Sequence, residues 1–423
     1  MIDPKPKMAI PVSQTGPLSG YRVIDLTVAL AGPYCTLLLG GMGAEIIKIE
    51  APGGSDISRN NPPFIGKDGL NYGKPGPDDL SVSTLARQRN KKSITLDLKT
   101  EQGRTVFFDL IKHADVLVEN FSEGTTDRLG ISYETVSKIH PGLIYASISA
   151  FGANDPNLSI KGMDIIVQAL SGVMEINGFA DGPPCRVGLP IADLTAPHYA
   201  LSGILAALLY RSKTGLGQQV KVNMLDSLAA LLAVEHVDLS YAPGTPPRSG
   251  NHHDRLTPFG VYRSRDGYVA IAASIDIWAH NLFRTMGRPE LVTDARSATR
   301  SARAVHANEI NQWVEDWSCT LTTAEIVQRL TACSVAAVPV KTPHAVLSDP
   351  AMLERGAIVP LLHPIIPSSV TTVAPGLPIH FSACQTGYDR YAEALGQSNN
   401  EIYSDLLHLT PEAITRLKEQ SII

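Results

Sequence analysis

Asp193 lies in the run GLPIADLTAPHYALSGILAALL, directly ahead of the most apolar stretch of the chain. A carboxylate there can cap a helix, or it can attack a carbonyl as a nucleophile. Pro197 suits the first position of a helix, so Thr195 or Ala196 is the expected cap and capping accounts poorly for Asp193. A second group of candidates is cationic: ARQRNKKSITLDLKT carries Arg87, Arg89, Lys91, Lys92 and Lys99. Such a cluster suits a phosphorylated ligand or a solvated loop. Arg59, Arg186, Arg248 and Arg255 are further guanidinium groups able to hold a carboxylate, while His252 and His253 in GNHHDRLTPFG are either pocket groups or surface histidines.

Other chemistries find less support. The turn in DLTVALAGPYCTLL offers only Gly32 where a dinucleotide fingerprint needs three glycines, and GLGQQ at 215–219 precedes a strand instead of opening a helix. Cys35, Cys185, Cys319, Cys333 and Cys384 are odd in number and include no CxxC pair, so free thiols are expected, with no metal site.

The elements that must position these groups follow from alternating apolar strands and helices. Residues 22–26, a turn through Ala31, Gly32 and Pro33, a helix to about Gly40 and a strand at 44–49 form one βαβ unit. A strand at 93–98, a helix from Thr100 and a strand at 115–119 form another. Further strands are expected at 143–149 and 219–223, and helices at 164–173, 197–211 and from 225 to about 240. This order predicts an α/β fold with a doubly wound, mostly parallel sheet. At Tyr241 the composition turns rich in Pro and Gly, marking a domain boundary. A strand at 268–273 and helices up to about Cys333 then form a smaller α/β unit. The expected organisation is 1–224 as the first part of a large domain, 225–250 as helix and linker, 251–335 as a small domain, and 336–423 as a linker and a return to the large domain.

Composition narrows the partners. Of 423 residues, 44% are hydrophobic and 18% charged, ordinary for a globular enzyme, and 36 basic against 41 acidic residues leave a net charge of −5. That balance disfavours a general nucleic-acid or anionic-membrane binder. The longest apolar stretch, Tyr199 to Tyr210, is shorter than the ~20 residues of a spanning helix and reads as a buried core helix. The N-terminal segment lacks the layout of a signal peptide, so a cytoplasmic protein is expected.

Taken together, GPLSGYRVIDLTVALAGPYCTLLLGGMGAEIIKIEAPGGSD, NKKSITLDLKT, VENFSEGTTDRLG, YASISAFG, the segment around Asp193, KTGLGQQVKVNMLD, GNHHDRLTPFGVY and VLSDPAMLERG resemble the family III (CaiB/BaiF-type) CoA-transferases over nearly the whole chain. The resemblance implies a large Rossmann-like domain, a small domain joined by long linkers, and a homodimer of two interlocked subunits. It implies Asp193 as the catalytic aspartate, working through anhydride and aspartyl-CoA thioester intermediates. Coenzyme A or acyl-CoA is then a substrate, with no tightly bound cofactor and no metal. Binding positions implied for CoA are Val28, Ala29, Ala31, Lys48, Leu96, Lys99, Asn120, Phe121, Arg128 and Lys161, with Phe121 and backbone groups at the adenine and the cations at its phosphates.

Two rivals share features with this reading. The α-methylacyl-CoA racemases keep an aspartate at the Asp193 position but pair it with a histidine in a GHD motif; here the motif is Gly162, Met163, Asp164, and methionine transfers no proton. A non-catalytic acyl-CoA-binding protein is the other. Leu30 stands where the formyl-CoA branch has glutamine, and that branch's glycine-rich loop has no counterpart, which points away from formyl or oxalyl transfer. A small dicarboxylate such as succinate, malate, citramalate or mesaconate is the expected acid.

Overall fold

The computed structural model describes residues 16–423 except 77, 236, 238–247, 254 and 367–371. The start of the expected domain boundary, at 241–247, and part of the Pro-rich stretch near 367–371 therefore lie outside the described residues. The chain forms two compact units: one runs up to Leu170 and adds Leu189–Ala229 and the residues from Leu347 on, while the other takes Ser171–Gly188 and Ala230–Val346.

Six strands make the sheet of the first unit: β1 (Arg22–Asp25), β2 (Glu45–Glu50), β3 (Lys91–Thr95), β4 (Val116–Glu119), β5 (Ile144–Ser149) and β6 (Gln219–Asn223). Their spatial order is β3-β2-β1-β4-β5-β6, and every neighbouring pair is parallel. This is the doubly wound order, with its reversal between β1 and β4, where ligands bind beyond the strand C-termini. Near-continuous apolar runs such as VLVE are the signature of strands covered on both faces. On one face, α3 (Glu101–Ile111) places Phe107, Leu110 and Ile111 against Ile47, Ile49 and Leu117. The C-terminal segment completes that cluster through Ile402, Tyr403, Ile414, Ile422 and Ile423, with the Tyr403 hydroxyl donating to the Thr95 carbonyl at 2.5 Å.

The opposite face is covered by α1 (Ala31–Gly41) and α5 (Ile191–Thr214), which pack on each other, with α2 (Val82–Arg87) against α1 and α4 (Asp164–Leu170) against α5. Gly203 lets α5 approach the sheet: a Cβ there would stand 2.6 Å from a Val220 methyl. The α5 helix differs from expectation in length. It spans 24 residues, enough in length and composition to cross a bilayer, yet it buries Ala192, Ala196, Ala200, Ile204 and Ala207 within the unit. The helix after β6, α6 (Met224–Val234), belongs to the first unit up to Ala229 and to the second from Ala230 on.

In the second unit, the antiparallel strands β7 (Phe259–Ser264), β8 (Gly267–Ala272) and β9 (Ala336–Pro339) carry α7 (Asp276–Thr285), α8 (Ala307–Ser318) and α9 (Thr323–Ala332). Tyr262, Val269, Ile271, Val314 and Ile326 form its main core.

Candidate active site

The start of α5 lies six residues ahead of its expected place, at Ile191, with Pro197 inside the helix. Sequence reasoning treated Pro197 as an N-terminal residue; an interior proline only removes one donor and adds a steric strain that this helix tolerates. The donor removed is the one that would meet the carbonyl four residues earlier, that of Asp193. The cap is neither Thr195 nor Ala196. Asp164, the first residue of α4, reaches across with Oδ1 to accept the N–H groups of Ala192 at 2.8 Å and Asp193 at 3.3 Å. Buried Gln168 fixes that carboxylate by donating to its Oδ2 at 2.6 Å.

With the cap supplied from elsewhere, the Asp193 carboxylate has no hydrogen-bond partner among the described residues. Burial pushes it up to about 6 from an ordinary 3.8; the Asp164 charge adds to the rise and the Arg87 guanidinium partly offsets it. It is therefore an anion near neutral pH, but a poorly solvated one, which is the condition of a reactive carboxylate. Asp164 and Arg87 are the neighbours that sequence reasoning did not assign here, because both come from segments far from Asp193 in the chain.

The loop from Thr27 to Leu30, at the switch point between β1 and β4, is held from all sides. Asn120 donates to the Val28 carbonyl at 2.9 Å and accepts the Val28 N–H at 2.8 Å. Ala29, at φ 66°, donates to Asp56 Oδ1 at 3.0 Å and accepts from Arg87 Nη1 at 3.0 Å. Gly32 is required beneath the loop, since a Cβ would come within 2.4 Å of the Thr27 side chain. Below it lies a buried charge network. Lys48 donates to the Thr27 carbonyl and pairs with Asp25 at 3.8 Å and Asp56 at 3.4 Å, while Lys91 pairs with Asp25 at 2.9 Å. Burial alone would raise Asp25, but Lys48, Lys91 and the Thr27 and Thr36 hydroxyls hold it well below the carboxylate range.

These contacts sort the expected CoA positions. Lys48 is 1% exposed and enclosed by two carboxylates, so it anchors the loop and does not present its ammonium to a phosphate. Lys91, buried and bonded to Asp25, the Pro33 carbonyl and the Thr36 hydroxyl, leaves the basic cluster too, and Arg89 is buried under Tyr388 with its guanidinium 4.6 Å from the ring centroid. Leu96 is buried in the core, and Ala31 is buried as the first residue of α1. The amides of Val28 and Ala29 already have internal partners. Exposed cations remain at Lys99, Arg128 and Lys161, with Phe121 half-buried beside Asn120 at the end of β4.

The four arginines that could hold a carboxylate are engaged. Arg59 donates to Glu50 from Nε at 2.9 Å and Nη2 at 2.5 Å, and Arg186 folds onto the carbonyls of Val187 and Gly188. Arg248 is tied to Glu175 at 2.9 Å and Arg255 to Glu235 at 3.2 Å. His252 and His253 border a cavity of about 500 Å³ inside the second unit, together with Phe259, Val261, Ile271 and Val338. The His252 ring packs on Tyr262, burial lowers its pKa, and its Nε2 is buried without a partner among the described residues. The five cysteines are free, and burial pushes Cys35 up to about 12. No metal-holding cluster occurs among the described residues.

Known proteins resemble this chain over most of its length. The family model described as CoA-transferase family III matches residues 18–399. A succinyl-CoA–D-citramalate CoA-transferase of Chloroflexus aurantiacus is 34% identical over 96% of this chain and 98% of its own length. A succinyl-CoA:mesaconate CoA-transferase of Haloarcula hispanica is 36% identical over 92% of this chain and 96% of its own. A crystal structure of a CAIB/BAIF family protein from Brucella suis superimposes with a TM-score of 0.78 at 31% identity, covering 93% of this chain and all of that one.

Proposed function

We propose, for a chain that belongs to CoA-transferase family III, that Asp193 is the carboxylate through which CoA passes from a thioester to a small dicarboxylic acid. The protein is an enzyme and a CoA-transferase; neither a racemase nor a mere acyl-CoA binder accounts for those relatives, and Met163 offers no proton. The observation that carries the role of Asp193 is its carboxylate, desolvated and without a hydrogen-bond partner among the described residues at the head of α5, held in place by the backbone that Asp164 caps.

The Asp193 carboxylate attacks the thioester carbonyl; the C–S bond breaks and CoA leaves as thiolate, giving a mixed anhydride. The thiolate attacks the Asp193 carbonyl of that anhydride, freeing the donor acid and leaving an aspartyl-CoA thioester. The acceptor carboxylate then attacks this thioester, forming a second anhydride and releasing thiolate. Attack of the thiolate on the acceptor's carbonyl gives the new acyl-CoA and restores Asp193. No proton is consumed and the energy of the thioester is conserved.

The loop Val28–Leu30 and the start of α1 at Ala31, with Asn120 and Phe121, frame the CoA site at the switch point, and Lys99, Arg128 and Lys161 are the cations assigned to its phosphates. Succinate, citramalate and mesaconate, as acids of the relatives, define the substrate class. We further assign the enzyme no tightly bound cofactor, a cytoplasmic location and a homodimer of interlocked subunits, which light scattering at micromolar concentration tests directly. The central test is intact mass of the protein after mixing with succinyl-CoA. A CoA adduct mapping to Asp193, absent in Asp193→Ala together with a loss of at least ~10⁴-fold in transfer, is expected. Full transfer by the alanine variant overturns the assignment.

A further inference from the structure

We propose that Arg87 binds the distal carboxylate of the acyl group and thereby selects dicarboxylic over monocarboxylic substrates; this rests on Asp193 being the acyl acceptor. Arg87 closes α2 and donates from Nη1 to the Ala29 carbonyl at 3.0 Å. A guanidinium has five N–H donors, and this is its one side-chain hydrogen bond among the described residues. The bond fixes the planar group beside the switch-point loop while leaving most of its fork open. Arg59 and Arg248 are closed on carboxylates, Arg255 is paired in the second unit, and Arg186 faces its own backbone.

Placement supports the role. Ala29 lies just ahead of Leu30, the N-cap of α1, and the first turns of α1 meet α5 where Tyr34 contacts His198 edge-on at a centroid separation of 5.6 Å, just over one turn beyond Asp193. Both Arg87 and Asp193 are thus gathered around the head of α1. Their charges act on one another: Arg87 lowers the Asp193 carboxyl, and Asp193 partly restores an arginine that burial has weakened.

Chemistry then demands a second anion. When Asp193 attacks a thioester its negative charge leaves on the CoA thiolate, and acylated Asp193 is neutral. Arg87 retains Asp56 as a neighbour, but that carboxylate already receives Ala29 N–H, Ser58 N–H, Gln88 Nε2 and the Lys48 charge. A half-buried cation without a free counter-charge is costly. A succinyl group carries a carboxylate two methylenes from its reacting carbonyl, and an open guanidinium fork matches that group bidentately. A butyryl group brings nothing to replace the lost charge.

Isotope exchange tests this without knowledge of the physiological pair: labelled succinate with succinyl-CoA, and labelled butyrate with butyryl-CoA. The wild type should favour the succinate pair in kcat/KM. Arg87→Leu should reduce that preference by roughly 100-fold, the scale of losing one member of a desolvated charge pair. Arg87→Gln keeps a donor for Ala29 and guards against a folding defect; it should reduce the preference likewise, while Arg87→Lys restores part of it. Equal losses on both pairs, which leave the ratio unchanged, would place Arg87 on Asp193 or CoA and overturn the proposal, as would a wild type without preference. The role of Asp193 is judged separately by its CoA adduct, which either substrate pair can form.

Discussion

The loop between β1 and α1 and the first turn of α5 are two short segments of the same unit with opposite electrostatic treatment. Beneath the loop the buried carboxylates have partners: Asp25 has two lysines and two hydroxyls, Asp56 receives three N–H groups and faces Lys48, and in the loop itself even the strained Ala29 uses both of its backbone groups. On α5, the backbone is capped from Asp164, but the Asp193 carboxylate has no hydrogen-bond partner among the described residues. On the proposed function, rigidity is concentrated where the ligand is to be framed, and electrostatic discomfort where the bond is to be made.

If the loop is a closed charge network, breaking it should be the most damaging change. Lys48→Met leaves Asp25 and Asp56 short of a buried counter-charge, and urea denaturation should show a loss of about 3–5 kcal/mol. A variant as stable as the wild type would mean that the network is not what holds the loop.

Asp193 should behave in the opposite sense. Because its carboxyl titrates at about 6 when folded and 3.8 ordinarily, the native state binds that proton more tightly than the unfolded state, and ionisation penalises folding. The penalty is absent below pH 4, develops between pH 4 and 6, and is complete above 6. Asp193→Asn should therefore raise stability by on the order of 1–3 kcal/mol at pH 7.5, with the gain vanishing at pH 4. An equal gain at both values would show that charge is not its source.

The smallest effect belongs to Asp164. Asp164→Asn keeps an oxygen for the Ala192 and Asp193 amides but removes the negative charge, so the Asp193 carboxyl should fall. The acid limb of kcat/KM for acyl transfer, which reports Asp193 ionisation, should move down by under about one pH unit. A shift to higher pH would assign Asp164 a different role.

The contrast also separates what the sequence could reveal from what it could not. Strands such as Val116–Glu119 and Ile144–Ser149 are local apolar patterns, and the doubly wound sheet was legible from them. Asp193 stood out by its segment. The helix start at Ile191 was missed because its cap comes from Asp164, 27 residues upstream of that position and invisible to local capping rules. Lys48 looked like a ligand cation at a strand end; only the parallel register that sets it beside Asp25, and the return of the chain at Asp56, bury its charge. Arg87 was one of the cations clustered between Arg87 and Lys99 until folding closed some and left its own fork open.

The placement of residues 402–423 in the core of the first unit has a consequence for biosynthesis. Phe107, Leu110 and Ile111 are translated some three hundred residues before the side chains that complete their cover. During that interval the whole of the second unit, with its own core of Tyr262, Ile271 and Val314, emerges from the ribosome and has the means to fold first. The unit that carries Asp193 starts before the second and is completed after it, so the nascent chain must carry an unfilled apolar face for most of its synthesis.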